Sequence, residues 1–551
     1  MDRRLFRNAK IVDVLRLRIF DGWFLIQDGR FKFVEEGEIA KNEPIDIVDL
    51  KRRYVVPGFI DAHMHVESSL VTCDRFAEIA LKHGTVAVLH DPHEMANVFG
   101  ADGVEFMIEN AKEQPLEFYT AIPSCVPTNR KNLETPNASV EPEDVERFAT
   151  MKNVIALGEM MDYVGILSDD EKLLKIIQVA RNHSLLIEGH CPTLKGKDLS
   201  KYIAIGVGSD HTLTYPEKIF EQLSKGMCVM IQEKSLTREN VQAILNLKDR
   251  SRVLLVTDDT PTTKLLKGHL NKIVSFAIKQ GWDILDAIAS ATIRAASYLG
   301  LKHLGAIAPG KCASFFVVEE IEELRPEIVF CKGIEYERLS FKKPYAESFG
   351  AIFAKKDLVE RDFYLSGITN GNKRLNVVIC NDQNSFTRLS QEPVTIKDGF
   401  AVGDYVNVGV FHRKSFKGYV GLLKGFGMKK GAFASSFAHD SHNILVVGKS
   451  SEYMKRAVQE LLKIGGGMVC CDDSHVETVP LEIGGIITNQ GVTEVAQRLE
   501  KIERLLRQNG VRHKNPLTFL SVLSLTVSPL YKFSDLGIVD TEKAEILSNI
   551  P

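Results

Sequence analysis

Two histidines one residue apart, His63 and His65, end an apolar run that begins at Val55 (VVPGFIDAHMHVESS, 55–69). In a strand, residues i and i+2 point to the same face, so both imidazoles can converge on one point. Imidazole is the commonest protein metal ligand. A bare HxH would read better as two polar residues where a strand runs out. Here the apolar lead-in, Pro57-Gly58 and the acidic Asp61 and Glu67 favour a metal site.

The signature recurs downstream. Later candidate strand ends carry His90-Asp91-Pro92-His93-Glu94, Glu159, His190, Asp210-His211 and Asp258-Asp259. One buried histidine at a strand end is usually a satisfied core residue. Ligand-type residues at the same end of successive strands point instead to a metal centre. Four histidines with two carboxylates suffice for two divalent ions, with one carboxylate as a bridge. Nitrogen and oxygen donors without thiolate suit Zn, Mn or Fe. Such a pair would hold a water and ionise it near neutral pH.

The elements that must position these groups follow from pattern. Residues 1–54 read as short strands and turns, with Asp28-Gly29 as a hairpin turn. From Val55, apolar β-rich runs at 55–62, 85–91, 117–123, 153–159, 185–189, 207–211, 228–232 and 252–258 alternate with helical stretches. Eight strands with intervening helices across 55–300 predict an α/β fold, a TIM-like (β/α)8 barrel, with a doubly wound open sheet as the alternative. In a barrel the chemistry sits at the C-terminal strand ends, where the donors lie. Helices are expected at 270–280 and 283–299. Beta character returns at GAIAPGKCASFFVVEE (305–320), so a small β-sandwich domain is expected from both sides of the barrel, 1–54 and 301–356. A C-terminal α/β domain over 357–551 follows, with helices at 451–464 and 491–509. Its glycine loops, GLLKGFGMKKGA and KIGGGMVC, fit neither phosphate-loop pattern and read as turns and close packing.

Composition narrows the function classes. Of 551 residues, 44% are hydrophobic and 26% charged, which is ordinary for a globular protein. A net charge of −3, with basic residues dispersed, gives no case for a nucleic-acid partner. No apolar run approaches the roughly 18–20 residues that span a bilayer. MDRRLFRNAK does not lead into a signal-peptide core. Nine scattered cysteines without CxxC fit a reducing cytosol. The expectation is a soluble cytoplasmic enzyme, with a homodimer as the commonest assembly.

The pattern resembles the amidohydrolase superfamily and, more narrowly, the microbial adenine deaminases. The resemblance rests on PGFIDAHMHVESS (57–69), DPHEMANVFG (91–100), LGEMMDYVG (157–165), GHCPTLKG (189–196), GSDHT (208–212), VTDD (256–259) and KGFGMKKGAFASSFAHDSHNILVVG (424–448), which extend across most of the chain. The AHDSHN block separates it from dihydroorotase- or urease-like relatives. The resemblance implies that His63, His65, His190 and His211 are metal ligands and that Glu159 bridges two ions of Mn, Fe or Zn. It makes Asp258 both ligand and proton shuttle, with Asp259 as the nearest alternative. The implied reaction is hydrolysis of adenine to hypoxanthine and ammonia, a purine-salvage step in which ionised water attacks C6. His93 and Glu94 would orient ligands or act as ligands, and Ser235 would lie near the substrate. His439, Asp440 and His442 read either as a turn before ILVVG or as part of the base pocket or a metal site. Thr212, Gln232, Lys234 and Thr260 depart from residues usual in that family, at positions expected to line the substrate pocket. The alternatives are an amidohydrolase acting on another aminated heterocycle or cyclic amide, and a purine-binding paralogue without activity.

Overall fold

The computed structural model describes residues 3–39, 46–128, 132–343, 349–350 and 352–551. The chain forms two compact units: Met1–Pro92, Met107–Ser124 and Glu141–Pro344 make the first; His93–Phe106, Cys125–Val140 and Tyr345–Pro551 make the second.

Short apolar runs of the first unit become parallel strands: β1 (Phe59–His65), β2 (Thr85–His90), β3 (Glu117–Ile122), β4 (Val154–Met160), β5 (Leu186–Gly189), β6 (Ser209–Asp210), β7 (Cys228–Ile231), β8 (Val253–Leu255) and β9 (Asp258–Asp259). Strands β1 to β5 pair in chain order, as do β6 to β8. Between the two runs, Gly208 N donates to Ile187 O at 2.8 Å. Strand β9 returns to β1, with Asp258 opposite Met64 and Asp259 opposite His65. The eighth stave of the barrel is therefore broken in two: β8 pairs with β7, and β9 closes the ring on β1.

Every residue of β1 and β2 is buried, as expected for parallel strands covered on both faces. Side-chain alternation then divides the strands between two cores. Val229, Ile231, Val253 and Leu255 pack with Val274 of the helix Leu270–Lys279 and with Trp282 in the loop that follows it. Cys228, Met230, Leu254 and Val256 pack with Ile60, Ala62, Ala87 and Leu89. The helix Cys73–Lys82 shows why the intervening segments are helical. Its buried Cys73, Phe76, Ala77, Ala80 and Leu81 fall on one stripe at helical spacing. It stops at His83-Gly84, where Gly84 takes a φ of +83° that a side chain would resist.

The single helix expected over 283–299 is two helices, Ile284–Ser290 and Ile293–Tyr298. The interruption serves the barrel, because Ala291 O accepts the Ile60 N–H of β1 at 2.8 Å.

Strands from both flanks of the barrel share one eight-stranded sheet, with Tyr54–Pro57 paired to Arg3–Asp13 on one side and to Phe315–Val318 on the other. Phe6, Phe24, Phe31, Phe315 and Phe330 interlock in its core. The hairpin between Arg18–Gln27 and Arg30–Glu36 turns at Asp28-Gly29, both with positive φ.

The second unit is built on a nine-stranded sheet, mostly antiparallel. The helices Ser451–Lys463 and Val492–Gln508 pack on it through buried apolar stripes that include Met454, Ala457, Val458 and Leu461, and Val495, Leu499 and Ile502. Its glycine loops are turns, with Gly425, Gly427 and Gly431 all at positive φ.

Candidate metal centre

Strand β1 ends in His63-Met64-His65, and both imidazoles are buried. The His65 Nδ1 lies 2.9 Å from Asp91 O, just beyond β2. A carbonyl only accepts, so Nδ1 carries the proton and Nε2 presents its lone pair inward. That Nε2 lies 3.3 Å from Glu159 Oε1 and 3.6 Å from Asp258 Oδ1. The His63 ring stacks on His211 with centroids 3.8 Å apart.

Glu159, in β4, is the hub. Its Oε2 is 2.5 Å from His190 Nδ1 and 3.1 Å from His211 Nε2. Its own N–H donates to Asp91 Oδ2 at 2.9 Å. Asp258 occupies the left-handed region (φ +60°) at the start of β9, which aims its carboxylate at His63 and His65. Thus the structure brings His63, His65, Glu159, His190, His211 and Asp258 together at the C-terminal ends of the strands. Asp259 turns elsewhere and accepts a hydrogen bond from the Ser68 hydroxyl.

Burial alone would raise the Glu159 carboxyl, but His211 and His190 hold it well below the usual carboxylate range. Asp258 is likewise driven below its ordinary value, against burial, by His65 and His211. Burial opposes protonation of His211, yet Glu159 and Asp258 lift it to about 9. Burial depresses His63, and the neighbouring His211 and His65 depress it further.

A metal fits this donor set. Among the described residues, His63–Glu159–His211 and His63–His65–Asp258 each place three donor atoms within 4.8 Å of one another. Among the described residues the buried His63 Nε2 finds no hydrogen-bond partner, and it stands 3.9 Å from Asp258 Oδ1. A buried lone pair left so is costly unless a cation takes it.

Sequence reasoning did not find the network that holds His211. Its neighbour Asp210 pairs with Lys218 Nζ at 2.9 Å and accepts from Gln222 Nε2 at 2.8 Å and Cys191 N at 2.9 Å. Burial would raise Asp210, but Lys218 and His211 bring it down to about 2. Gln232 donates to His211 O at 2.9 Å, and Thr212 Oγ1 bridges Asp210 and Lys218. Nothing in the spacing singles out Lys218, a lone lysine on a helix face. Asp61, singled out only for its charge, ties β1 to the β8–β9 break by accepting from Thr257 Oγ1 at 2.6 Å.

Ser235 is buried and accepts from Thr214 N at 3.2 Å. His90 is not among the converging donors, since its Nε2 lies 3.0 Å from Thr120 Oγ1. Lys234 sets its ammonium 4.0 Å from Asp258 Oδ2. Thr260 is buried.

The second unit gathers His93, Glu94, His439, Asp440 and His442. Glu94 Oε2 accepts from Asp440 N at 2.9 Å and lies 2.5 Å from His442 Nε2, while Oε1 meets His439 Nδ1. Burial opposes ionisation of Glu94, and His439 and His442 overcome it, holding the carboxyl well below its ordinary value.

Histidines and carboxylates at the C-terminal ends of a parallel (β/α)8 barrel define a metal-dependent hydrolase of the amidohydrolase class, and residues 54–336 match the amidohydrolase family model. Residues 384–545 match the adenine deaminase C-terminal domain. The chain belongs to the adenine deaminase family. It is 38% identical over 513 residues to adenine deaminase 2 of Carboxydothermus hydrogenoformans, covering 91% of this chain and 89% of that protein. It is 33% identical to the adenine deaminase of Desulfatibacillum aliphaticivorans, covering 99% and 96% of the two chains. With that of Archaeoglobus fulgidus it shares 35% identity, covering 99% and 96%.

Proposed function

We propose that this chain hydrolyses adenine to hypoxanthine and ammonia in the cytosol, using divalent ions held by His63, His65, His190, His211, Glu159 and Asp258. The observation that carries this reading is the convergence of these side chains on Glu159 and Asp258, in a chain similar to adenine deaminases along nearly its whole length. Nitrogen and oxygen donors without thiolate suit Mn, Fe or Zn. Glu159 is the carboxylate best placed to serve two ions, with one oxygen toward His65 and the other toward His190 and His211.

When bound, such ions supply Lewis acidity and lower the pKa of a water toward neutrality. The protein's part is proton movement and orientation. Asp258, held ionised, accepts a proton from the water that adds to C6 and returns it to a substrate nitrogen. The water oxygen stays on C6; one of its protons ends on the ring and the other leaves in ammonia. The Asp91 carbonyl keeps His65 in the tautomer that offers Nε2.

A second reading, deamination of another aminated heterocycle, is favoured by Lys234, which brings a positive charge beside Asp258. Ammonia release from adenine by metal-loaded protein, with adenosine, guanine and cytosine in parallel, tests both. Release from adenine supports the first reading. Release only from another amine moves the assignment to the second, and metal-loaded protein that binds purine without releasing ammonia is a paralogue without activity.

A further inference from the structure

We propose that the second unit holds a divalent cation of its own, ligated by His93, Glu94, His439 and Asp440. His93 and Glu94 open the helix His93–Phe99, and His439 and Asp440 precede the strand Ile444–Gly448. One donor atom from each of the four lies within 4.8 Å of all the others. His93, Glu94 and Asp440 are at most 3% exposed, whereas His439 keeps about a fifth of its side chain accessible (19%), giving an ion a way in.

Two features separate a cation site from a hydrogen-bonded cluster. First, Asp440 Oδ1 is buried and accepts no hydrogen bond from the described residues, although His93 Nε2 lies 3.3 Å away. A buried carboxylate oxygen left so costs free energy comparable to a lost hydrogen bond to a charged group. A cation between the two atoms removes that cost. Second, Glu94 is oriented as metal-binding carboxylates are. The Asp440 N–H and His442 Nε2 hold its Oε2, leaving Oε1 turned to His439. His442 is then a positioning residue, fixing a ligand without being one. Two imidazoles and two carboxylates without thiolate suit Zn, Mn, Fe or Co and disfavour a structural thiolate-zinc site.

The test counts metal and does not depend on turnover. Full-length protein is stripped with chelator, reloaded with Zn²⁺ or Co²⁺, desalted, and its metal measured per chain by mass spectrometry. The near-isosteric Asp440→Asn and the exposed-side His439→Asn should each bind one ion fewer than wild type, or bind that ion at least tenfold more weakly against a chromophoric chelator. A His63→Asn/His65→Asn/Glu159→Gln variant should retain one tightly held ion that added Asp440→Asn removes. Equal stoichiometry and affinity in wild type, Asp440→Asn and His439→Asn would overturn the proposal. So would the absence of an anomalous peak between His93 and Asp440 in wild-type crystals grown with Zn²⁺, a readout that needs no variant to fold.

Discussion

Asp210 and Lys218 form an ion pair at 2.9 Å with both side chains at most 3% exposed. Asp210 is the chain neighbour of His211, so the pair anchors the backbone from which one of the converging imidazoles projects. Removing one partner of a buried pair costs about 3–5 kcal/mol because the other is left uncompensated. Lys218→Met should therefore lower unfolding free energy by about 3 kcal/mol in denaturant titration. It should also weaken metal retention. A variant as stable as wild type would show that Gln222, Cys191 and Thr212 satisfy Asp210 without Lys218.

Glu159→Gln replaces the hub with a neutral group that cannot draw His65, His190 and His211 together. Metal content should drop and ammonia release should fall by at least about 100-fold, within the range assigned to general acid–base and electrostatic groups. Unchanged metal content with unchanged turnover would remove Glu159 from the centre.

Gly158 marks a position where only hydrogen fits. A Cβ there would overlap the Asp91 carboxylate, which accepts the Glu159 N–H at 2.9 Å. Gly158→Ala should push Asp91 away and shift both Glu159 and His65, the latter through its bond to Asp91 O. Turnover should fall at least tenfold while far-ultraviolet circular dichroism stays near wild type. Comparable turnover would mean that Asp91 moves without disturbing either ligand.

Asp286 gives a pH signature away from the centre. Burial would raise its carboxyl, but Arg294 and the Trp282 indole, which donates at 2.6 Å, lower it, with Arg250 3.0 Å away. A carboxyl whose folded pKa lies below its unfolded value adds stability above the unfolded pKa, and that stability fades as pH falls through the folded one. Asp286→Asn should therefore destabilise the protein by about 3 kcal/mol at pH 7. The gap should narrow as pH falls below about 4, where the carboxyl of the unfolded wild-type chain protonates before that of the folded one. Parallel melting curves from pH 7 to pH 3 check this; a gap constant with pH would mean that packing, not charge, is lost.

Particular residues show where sequence reading stopped. The His63-Met64-His65 spacing was legible because period 2 in a strand needs no neighbours. Glu159, His190, His211 and Asp258 were legible because each follows an apolar run that becomes a strand. The break between β8 and β9, the interrupted helix at Ala291 and the role of Lys218 were not. The first two depend on a partner far along the chain, Thr257 on Asp61 and Ala291 on Ile60, while Lys218 meets Asp210 from the next helix, across a loop that keeps neither helix nor strand period. A hydrogen bond across long sequence separation leaves no local periodicity to read.

The sequence by itself determined that parallel strands and amphipathic helices would alternate, and that nitrogen and oxygen donors would stand at one end of the strands. Burial patterns and strand periodicity are local, so they survive without coordinates. Tertiary structure alone decided which donors meet. It gave Glu159 to three histidines, set Asp258 beside His63 and His65, and left Asp259 to Ser68. Ring closure through β9 and the left-handed backbone at Asp258 make that choice, because side chains of adjacent strand residues point to opposite faces. Adjacent aspartates of identical chemistry thereby acquire different partners.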